Sequence, residues 1–248
     1  MVKKERKLSE YTEEREHKRS LRGSRENAYD KEHGNVHEVE NIVKHYPSIS
    51  YATECPVPII AFDKLDGSNI RAEWSNKKGW YKLGTRKRLV DETDQLFGRV
   101  PELLTSGMGD ALSEALHEAG YDRAMCFFEL HGMSSFAGMH DPKDPTLKLT
   151  LFDVAPFKQG ILEPEKFIEL FGHLDVPAIL YRGEINEEFI EQIRSSTLQG
   201  MTFEGVVCKG KNNKKTKMPI MFKQKSRAWL DKLHEYCGDN AELFRTLR

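Results

Sequence analysis

Seven short apolar or alternating segments, each bounded by turn residues, recur along the chain, and such segments are typical of β-strands. They span 58–62, 70–74, 80–83, 125–129, 147–154, 203–209 and 219–225. Polar loops at 75–79 and 210–217 join two of the pairs, which predicts hairpins. Because the predicted helices lie between strand pairs and do not follow every strand, the pattern predicts an α+β fold of antiparallel sheets flanked by helices.

Four helices are predicted from apolar spacing and end signals, over 101–119, 164–173, 187–195 and 227–236. Gly120 is a natural stop for the first helix, and Pro164 suits the first position of the second. Asn186 and Ser226 precede the other two helices, where their side chains can cap the first turn. The predicted helices and strands together define a globular region that begins at about residue 37.

Charge divides the 248-residue chain into three parts. Residues 1–36 are rich in charged side chains and poor in apolar ones, which predicts a flexible extension or an arm that touches nucleic acid. Residues 37–225 carry the pattern of one domain, and residues 226–248 are predicted to form a short helical tail. Two basic stretches, 75–90 and 209–227, contain no acidic residue. Either is typical of a solvated loop, but the two together, with neighbouring aromatic residues, favour a polyanion partner.

Several classes of protein do not fit the sequence. No apolar run approaches the roughly 20 residues that a membrane span needs, and the basic N-terminus is not followed by the apolar stretch of a secretory signal. The four cysteines form no C-x-x-C pair, so we expect reduced thiols and neither disulfides nor a zinc site. These features predict an intracellular, cytoplasmic protein, of a cell or of a virus-infected host, with no membrane partner.

The stretch F-D-K-L-D-G-S-N, 62–69, places Lys64 between Asp63 and Asp66 at the end of the first predicted strand. A free lysine has a pKa of roughly 10.4, so a nucleophilic lysine must be deprotonated with the help of burial, nearby cations or a bound metal. Nearby carboxylates oppose that loss, so Asp66 is predicted to orient the lysine or to accept its proton. K-x-D-G alone is equally typical of a surface turn, because Asp-Gly is a common turn pair.

Other side chains also stand at places where a ligand would explain them. Glu129 and Glu204 lie at the ends of apolar strands, where a carboxylate is costly without a partner. Phe152 lies on the more polar face of its strand, which suits stacking on a base or a second core layer. Lys223 and Lys225 share one side of a strand, and two neighbouring ammonium groups favour an anion such as phosphate between them.

Five segments of the chain, in this order, resemble the motifs of the covalent nucleotidyltransferase superfamily, which contains polynucleotide ligases and capping guanylyltransferases. They are K-L-D-G-S-N (64–69), F-F-E-L-H-G (127–132), L-F-D-V (151–154), E-G-V-V-C-K (204–209) and F-K-Q-K (222–225). The first motif of DNA ligases and capping enzymes usually ends in arginine, whereas this chain has Asn69, as in the RNA ligase 2 family. The stretches 46–49 and 84–98 also resemble that family, so the chain is similar to a minimal, single-domain form of it.

The resemblance implies the ATP-grasp-like nucleotidyltransferase (adenylation) domain of ligases and a role for each motif. Lys64 would be the nucleophile, and Lys223 and Lys225 would contact the α-phosphate and the leaving pyrophosphate. Glu204 would hold a metal ion or its water shell. Asp63, by its backbone or side chain, would contact the adenine, Phe152 would stack on it, and Glu129 would bind the ribose. Asn69 and Arg86 would contact the AMP phosphate or the RNA 5′-phosphate end. Lys209 would contact the phosphates or the RNA strand.

The implied activity is that of an ATP-dependent RNA ligase, which joins 3′-OH and 5′-phosphate ends through a lysyl-AMP and an RNA-adenylate in RNA repair. The implied cofactors are ATP and Mg²⁺ or Mn²⁺, and the implied partner is nicked or single-stranded RNA. The separate C-terminal domain of larger members is not recognised, which leaves room for a repair partner protein. The alternatives are a DNA ligase, a capping-type guanylyltransferase that uses GTP and, from another class, a non-catalytic RNA-end-binding module.

Overall fold

A computed structural model describes residues 43–213 and 218–248. The predicted extension at 1–36 and the second half, 214–217, of the predicted loop at 210–217 lie outside the described residues. In the described part of the chain, ten strands form two five-stranded sheets, and six helices pack around them. No helix in these ranges has the length and apolar character needed to cross a membrane.

The first sheet has the strand order β1-β10-β9-β2-β8. Its strands are β1 (Ser50–Tyr51), β2 (Ile59–Asp63), β8 (Ile179–Gly183), β9 (Gly205–Asn212) and β10 (Pro219–Lys225). All neighbours are antiparallel except β1 and β10. Every residue of β2 is buried, as expected for an apolar strand that is covered on both faces.

The second sheet has the order β5-β4-β3-β6-β7 and is antiparallel throughout. Its strands are β3 (Ser68–Ser75), β4 (Gly79–Thr85), β5 (Leu89–Val90), β6 (Arg123–His131) and β7 (Lys148–Pro156). The β3–β4 and β9–β10 pairs are the two predicted hairpins, and both are confirmed.

The helices divide between the two sheets and the end of the chain. They are α1 (Val100–Ser106), α2 (Gly109–Glu118), α3 (Pro164–Phe171), α4 (Glu187–Arg194), α5 (Arg227–Cys237) and α6 (Ala241–Leu247). The largest apolar cluster joins one face of the second sheet to α1, α2 and α3, and another joins one face of the first sheet to α4. A third cluster gathers α5 and α6 around Trp229.

The predicted helix caps are confirmed. The Asn186 side chain accepts a hydrogen bond from the Phe189 backbone N–H, and the Ser226 hydroxyl accepts one from the Trp229 N–H. Pro164 lies in the first turn of α3. The four cysteines form no disulfide among the described residues.

The structure differs from the predicted elements in three places. The predicted helix 101–119 is two helices, because Gly107 ends α1 and a second glycine opens α2, and glycine is a weak helix former. Strands β1, β5 and β8 were not predicted, since β1 and β5 have two residues each and the partly exposed β8 has no apolar alternation. Helix α6 was also missed, although Asn240 caps it.

Two glycines bring the segments of the sequence motifs into close contact. A Cβ at Gly67 would lie 2.1 Å from the Leu130 carbonyl oxygen, so only glycine lets the turn after β2 approach β6. A Cβ at Gly205 would lie 2.1 Å from the Gln224 carbonyl oxygen, and Gly205 has a φ of +140°. The Gly205 carbonyl oxygen accepts a hydrogen bond of 2.9 Å from the Lys64 N–H, which joins the end of β2 to the start of β9.

We expect Gly67→Ala to destabilise the fold by more than about 2 kcal/mol, because the new methyl group must displace backbone and not a movable side chain. Chemical denaturation of the purified variant measures the loss. Gly120→Ala is the matched control: Gly120 has a φ of +74° and open space around it, so its cost is limited to about 1 kcal/mol of backbone strain. Equal losses in the two variants would show that the close approach at Gly67 is unimportant.

Candidate active site

A cleft of about 610 Å³ is lined by residues from both sheets and from the end of the chain. It contains all ten side chains that were predicted from the sequence as site residues: Asp63, Lys64, Asn69, Arg86, Glu129, Phe152, Glu204, Lys209, Lys223 and Lys225. These positions are spread over 163 residues of sequence, 63–225, and the fold brings them to one place. The roles that the sequence implied for them remain predictions.

Glu204 stands between two lysines at one end of the cleft. Its Oε2 lies 2.8 Å from Lys64 Nζ and its Oε1 lies 2.8 Å from Lys225 Nζ. Glu204 is only 4% exposed, and a buried carboxylate is tolerated because charged donors occupy both oxygens. One carboxylate therefore holds the end of β2 and the end of β10 at a fixed separation.

The Glu204 carboxylate also keeps Lys64 protonated. Burial alone would lower the pKa of Lys64, but Glu204 and Glu129 outweigh it, and the pKa is raised. The ammonium group is therefore stable in this arrangement and is not a nucleophile. Lys64 can attack an electrophile only after the Glu204 contact has been replaced.

The other two lysines have lowered pKa values. Burial lowers the pKa of Lys225 to about 8 despite its contact with Glu204. Burial and the neighbouring Lys64 ammonium lower the pKa of Lys223, which donates a hydrogen bond of 2.9 Å to the Arg248 backbone carbonyl. As predicted, the two lysines face the same cleft, where three ammonium groups suit an anion with several negative charges.

Asp66 connects several parts of the cleft wall, while its two predicted roles toward Lys64, orienting the lysine or accepting its proton, stay predictions. Its Oδ2 accepts a hydrogen bond of 2.7 Å from the indole N–H of Trp229, and its carboxylate also accepts one from the Ala137 backbone N–H. Burial raises the pKa of Asp66. The carboxylate thus joins the turn after Lys64 to helix α5 and to the loop between β6 and β7.

The opposite end of the cleft is aromatic. Phe152 packs edge-on against Tyr46, with ring centroids 4.8 Å apart, and stacks with Phe127 at 6.4 Å. Phe152 remains partly exposed and lines the cleft, together with Phe62 and Val207. A flat, apolar space of this kind suits the faces of a nucleobase.

Lys209 belongs to this aromatic end and is already paired. Its Nζ lies 2.8 Å from Asp153 Oδ2, donates to the Phe152 carbonyl oxygen at 2.8 Å, and lies 4.9 Å from the Phe62 ring centroid. The Tyr46 hydroxyl donates to the same Asp153 oxygen. In the structure the Lys209 ammonium is paired and held among the aromatic rings, and the contact with the phosphates or the RNA strand that the resemblance implied stays a prediction.

Asn69 and Glu129 face each other across β3 and β6 between the two ends of the cleft. Burial raises the pKa of Glu129 to about 8, although the Lys64 ammonium opposes the shift. The Asn69 Oδ1 is buried and has no hydrogen-bond partner. Asp63 differs from Asn69 because its Oδ1 already accepts a 3.0 Å hydrogen bond from the Thr202 backbone N–H. Arg86 also lines the cleft.

The carboxylates of the cleft suit a metal ion that is held mainly by a ligand. In the ranges 43–213 and 218–248, no three His, Cys, Asp or Glu side chains are grouped to coordinate an ion by themselves. Glu204 is a single carboxylate whose partners are movable ammonium groups. Such a donor set fits Mg²⁺ or Mn²⁺ bound by phosphate oxygens, water and one carboxylate, and does not fit a closed protein cage.

Three important residues of the site were not predicted. Tyr46 and Asp153 fix Lys209, and Trp229 lies against Lys225. Asp153 follows Phe152 directly, so its position in L-F-D-V was the available signal. Nothing in the sequence near Trp229 indicated that its ring would face a lysine four residues earlier in the chain.

No family model and no curated protein matches this sequence. Solved structures do match. An archaeal ATP-dependent RNA ligase has 18% identity and a TM-score of 0.55, with 79% of this chain and 52% of that chain covered. A protein from Aquifex aeolicus described as an ATP-dependent DNA ligase has 19% identity and a TM-score of 0.55, with 82% and 57% covered. A Naegleria gruberi RNA ligase mutant, solved with ATP and Mn, has 16% identity and a TM-score of 0.51, with 77% and 61% covered.

These matches define the class of fold. The chain has the α+β fold of the nucleotidyltransferase domain in ATP-dependent RNA and DNA ligases. It spans about half to three-fifths of the length of these structures. At these identities the likeness concerns the fold, and the RNA ligase 2 family stays a prediction.

The raised pKa of Glu129 predicts a pH-dependent effect of Glu129→Gln on stability. The folded state favours the protonated carboxyl, so wild-type stability from this group is complete below the usual glutamate pKa and is lost as the pH rises through about 8. The variant stays neutral, so its melting temperature should exceed that of the wild type by a few degrees above pH 8 and match it near pH 4. Melting curves across this range measure the difference, and a pH-independent difference would contradict the shift.

The Lys209–Asp153 pair predicts a large loss of stability when one partner is removed. Both side chains are almost fully buried, so Asp153→Ala leaves an unpaired ammonium and should cost about 3–5 kcal/mol. The double variant Lys209→Met, Asp153→Ala should be more stable than Asp153→Ala alone. Glu165→Ala is the control, since it breaks the exposed Arg182–Glu165 pair and should cost less than about 1 kcal/mol. Chemical denaturation compares all three, and a double variant less stable than the single would refute the prediction.

Proposed function

We propose that this protein is an ATP-dependent RNA ligase that forms a covalent AMP adduct on Lys64. The observation that carries the proposal is the arrangement Lys64–Glu204–Lys225, with 2.8 Å contacts, in one cleft with an aromatic space that suits a base. Nucleotidyl transfer needs a lysine nucleophile and cations that neutralise the phosphates. It also needs a carboxylate that can give up its contact with that lysine.

In the first step, the neutral Lys64 amine attacks the α-phosphorus of ATP. A P–N bond forms, the bond from the α-phosphorus to the bridging oxygen breaks, and its electron pair leaves with pyrophosphate. Two protons leave Lys64 and pass to water, one when the ammonium becomes the amine and one as the phosphoramidate forms. Lys223 and Lys225 supply positive charge where negative charge develops, and Lys64 becomes available once Glu204 exchanges its contact.

Other cleft residues bind the rest of the nucleotide. The base stacks on Phe152, and Lys209, fixed by Asp153 and the Phe152 carbonyl, lies beside that ring. Glu129, largely protonated at neutral pH, can donate as well as accept a hydrogen bond at the ribose. A divalent ion, Mg²⁺ or Mn²⁺, would be held by Glu204 and the ATP phosphates and would neutralise charge on the triphosphate.

In the later steps, AMP passes to the 5′-phosphate of RNA, and a 3′-hydroxyl displaces it to form the phosphodiester bond. Asn69 and the nearby Arg86 are the groups offered to the RNA 5′-phosphate end or to the AMP phosphate. Arg86 carries the charge that attracts the phosphate, and the Asn69 amide N–H₂ can donate to it. The RNA substrate and a repair partner protein belong to this proposal, as does the cytoplasmic location.

A DNA ligase is the second candidate, and one observation favours it. The Aquifex aeolicus protein described as an ATP-dependent DNA ligase matches the fold as well as the archaeal RNA ligase does. Asn69, in place of the arginine typical of DNA ligases and capping enzymes, favours RNA. A non-catalytic RNA-end-binding module would retain the cleft but transfer no nucleotide.

We expect the protein to become labelled when it is incubated with Mg²⁺ and ATP that carries the label at the α-phosphate. Lys64→Ala should abolish the label, because no other residue replaces the attacking amine. Lys143→Ala, which removes an exposed lysine away from the cleft lining, should label like the wild type. GTP labelled in the same position should give no label.

The labelled protein is then offered nicked RNA and nicked DNA duplexes with 5′-phosphate ends. Sealing of RNA ends alone supports the RNA ligase, and sealing of DNA ends supports the second candidate. If the intact mass of the purified protein shows no bound AMP and no label forms, the proposed enzyme activity is wrong. The non-catalytic RNA-end-binding module is then favoured.

A further inference from the structure

The indole ring of Trp229 lies against the ammonium group of Lys225. The Lys225 Nζ is 3.3 Å from the ring centroid, a very short distance for a cation over an aromatic face. Trp229 is only 1% exposed, so water does not compete for the contact. Lys225 thus has two neighbours that attract its charge, the Glu204 carboxylate and the Trp229 ring.

The edge of the same ring is anchored to the segment of the nucleophile. The indole N–H of Trp229 donates a hydrogen bond to Asp66 Oδ2 at 2.7 Å, and Asp66 lies two residues after Lys64. Asp66 is itself held by the Ala137 backbone N–H. The ring therefore links Lys225 at its face to the Lys64 turn at its edge.

The backbone of Trp229 is fixed as well. The Ser226 hydroxyl accepts a hydrogen bond of 3.1 Å from the backbone N–H of Trp229. It also donates one of 2.7 Å to the carbonyl of Phe203, the residue before Glu204. The start of helix α5 is thus tied to the segment that carries the shared carboxylate. The Phe136 ring packs against the Trp229 ring, with ring centroids 5.7 Å apart.

We propose that Trp229 is a positioning residue for nucleotidyl transfer, which holds the Lys225 ammonium at the reacting phosphate and in register with Lys64. The inference rests on the proposed function. An aromatic face attracts an ammonium group without a formal negative charge, so it can hold Lys225 without repelling the triphosphate as a second carboxylate would. The ring also keeps its hold on Lys225 when Glu204 exchanges its contacts.

The test measures single-turnover labelling of the protein by ATP at saturating and limiting concentrations. Trp229→Leu should lower the maximal rate by about 10- to 30-fold, the loss expected for a desolvated cation–π contact, with little change in the ATP concentration at half-maximal rate. Trp229→Phe keeps an aromatic face and should restore most of the rate. A defect confined to apparent ATP affinity would overturn the proposal.

A double-mutant cycle tests whether Trp229 acts through Lys225. Lys225→Met is slow by itself, and adding Trp229→Leu to it should change the rate by less than about 3-fold. Trp74→Leu is the matched control: Trp74 is also fully buried and donates its N–H, to Ser113 at 2.8 Å, but lies in the core of the second sheet. Equal slowing by Trp229→Leu with and without Lys225, or the same slowing in Trp74→Leu, would show a structural role only.

Fluorescence gives a readout that does not depend on activity. In a Trp74→Phe, Trp80→Phe protein, Trp229 is the only tryptophan. Its emission should change when Lys225→Met removes the cation from the ring face, and it should stay unchanged in Lys143→Ala. Label formation with an emission unchanged in Lys225→Met overturns the positioning role alone. Absence of label from the unadenylylated wild type overturns the proposed function and the positioning role with it.

Discussion

The sharing of the Glu204 carboxylate by Lys64 and Lys225 is the interaction on which the rest of the cleft depends. It fixes the ends of β2 and β10 on either side of the start of β9, and it makes burial of three charged groups tolerable. The same contact keeps Lys64 protonated in the resting protein. The contact that stabilises the cleft therefore also keeps Lys64 unreactive. The negatively charged phosphates of the proposed substrate can replace Glu204 as partners of the lysines.

The two ends of the cleft differ in how firmly they are held. At the aromatic end, Lys209 is enclosed by rings and paired with Asp153, which Tyr46 also contacts, so this end is fixed before any ligand arrives. At the other end, Lys64 and Lys225 share one carboxylate, the Trp229 ring also contacts Lys225, and the Lys64 side chain is partly exposed. A base pocket that is fixed in advance beside a partly exposed lysine fits a ligand whose base stays in place while its phosphate reacts.

The sequence predicted seven of the ten described strands and both hairpins from local alternation and turn residues. Lys64, Glu129, Phe152, Glu204, Lys223 and Lys225 stood out at strand ends or on strand faces, whereas Asn69 and Arg86 were indicated only by the resemblance to ligase motifs. The two-residue strands β1 and β5, strand β8 and the break at Gly107 were not predicted. The partners of Lys209 and Lys225 were also missed. Asp153 and Trp229 meet these lysines only through the pairing of distant strands and the angle of α5, and no local pattern reports such geometry.

Strand length at the sheet margins has a consequence for the behaviour of the protein at high concentration. Each sheet ends on one side in a two-residue strand, β1 or β5, which offers an intruding strand almost no template. Part of the longer margin at β7 is occupied, since its Leu151 N–H and Val154 carbonyl are bonded to Asp175 and Leu162, whereas β8 forms a five-residue margin. The β1 and β5 margins therefore resist the edge-to-edge association that leads exposed sheets to aggregate.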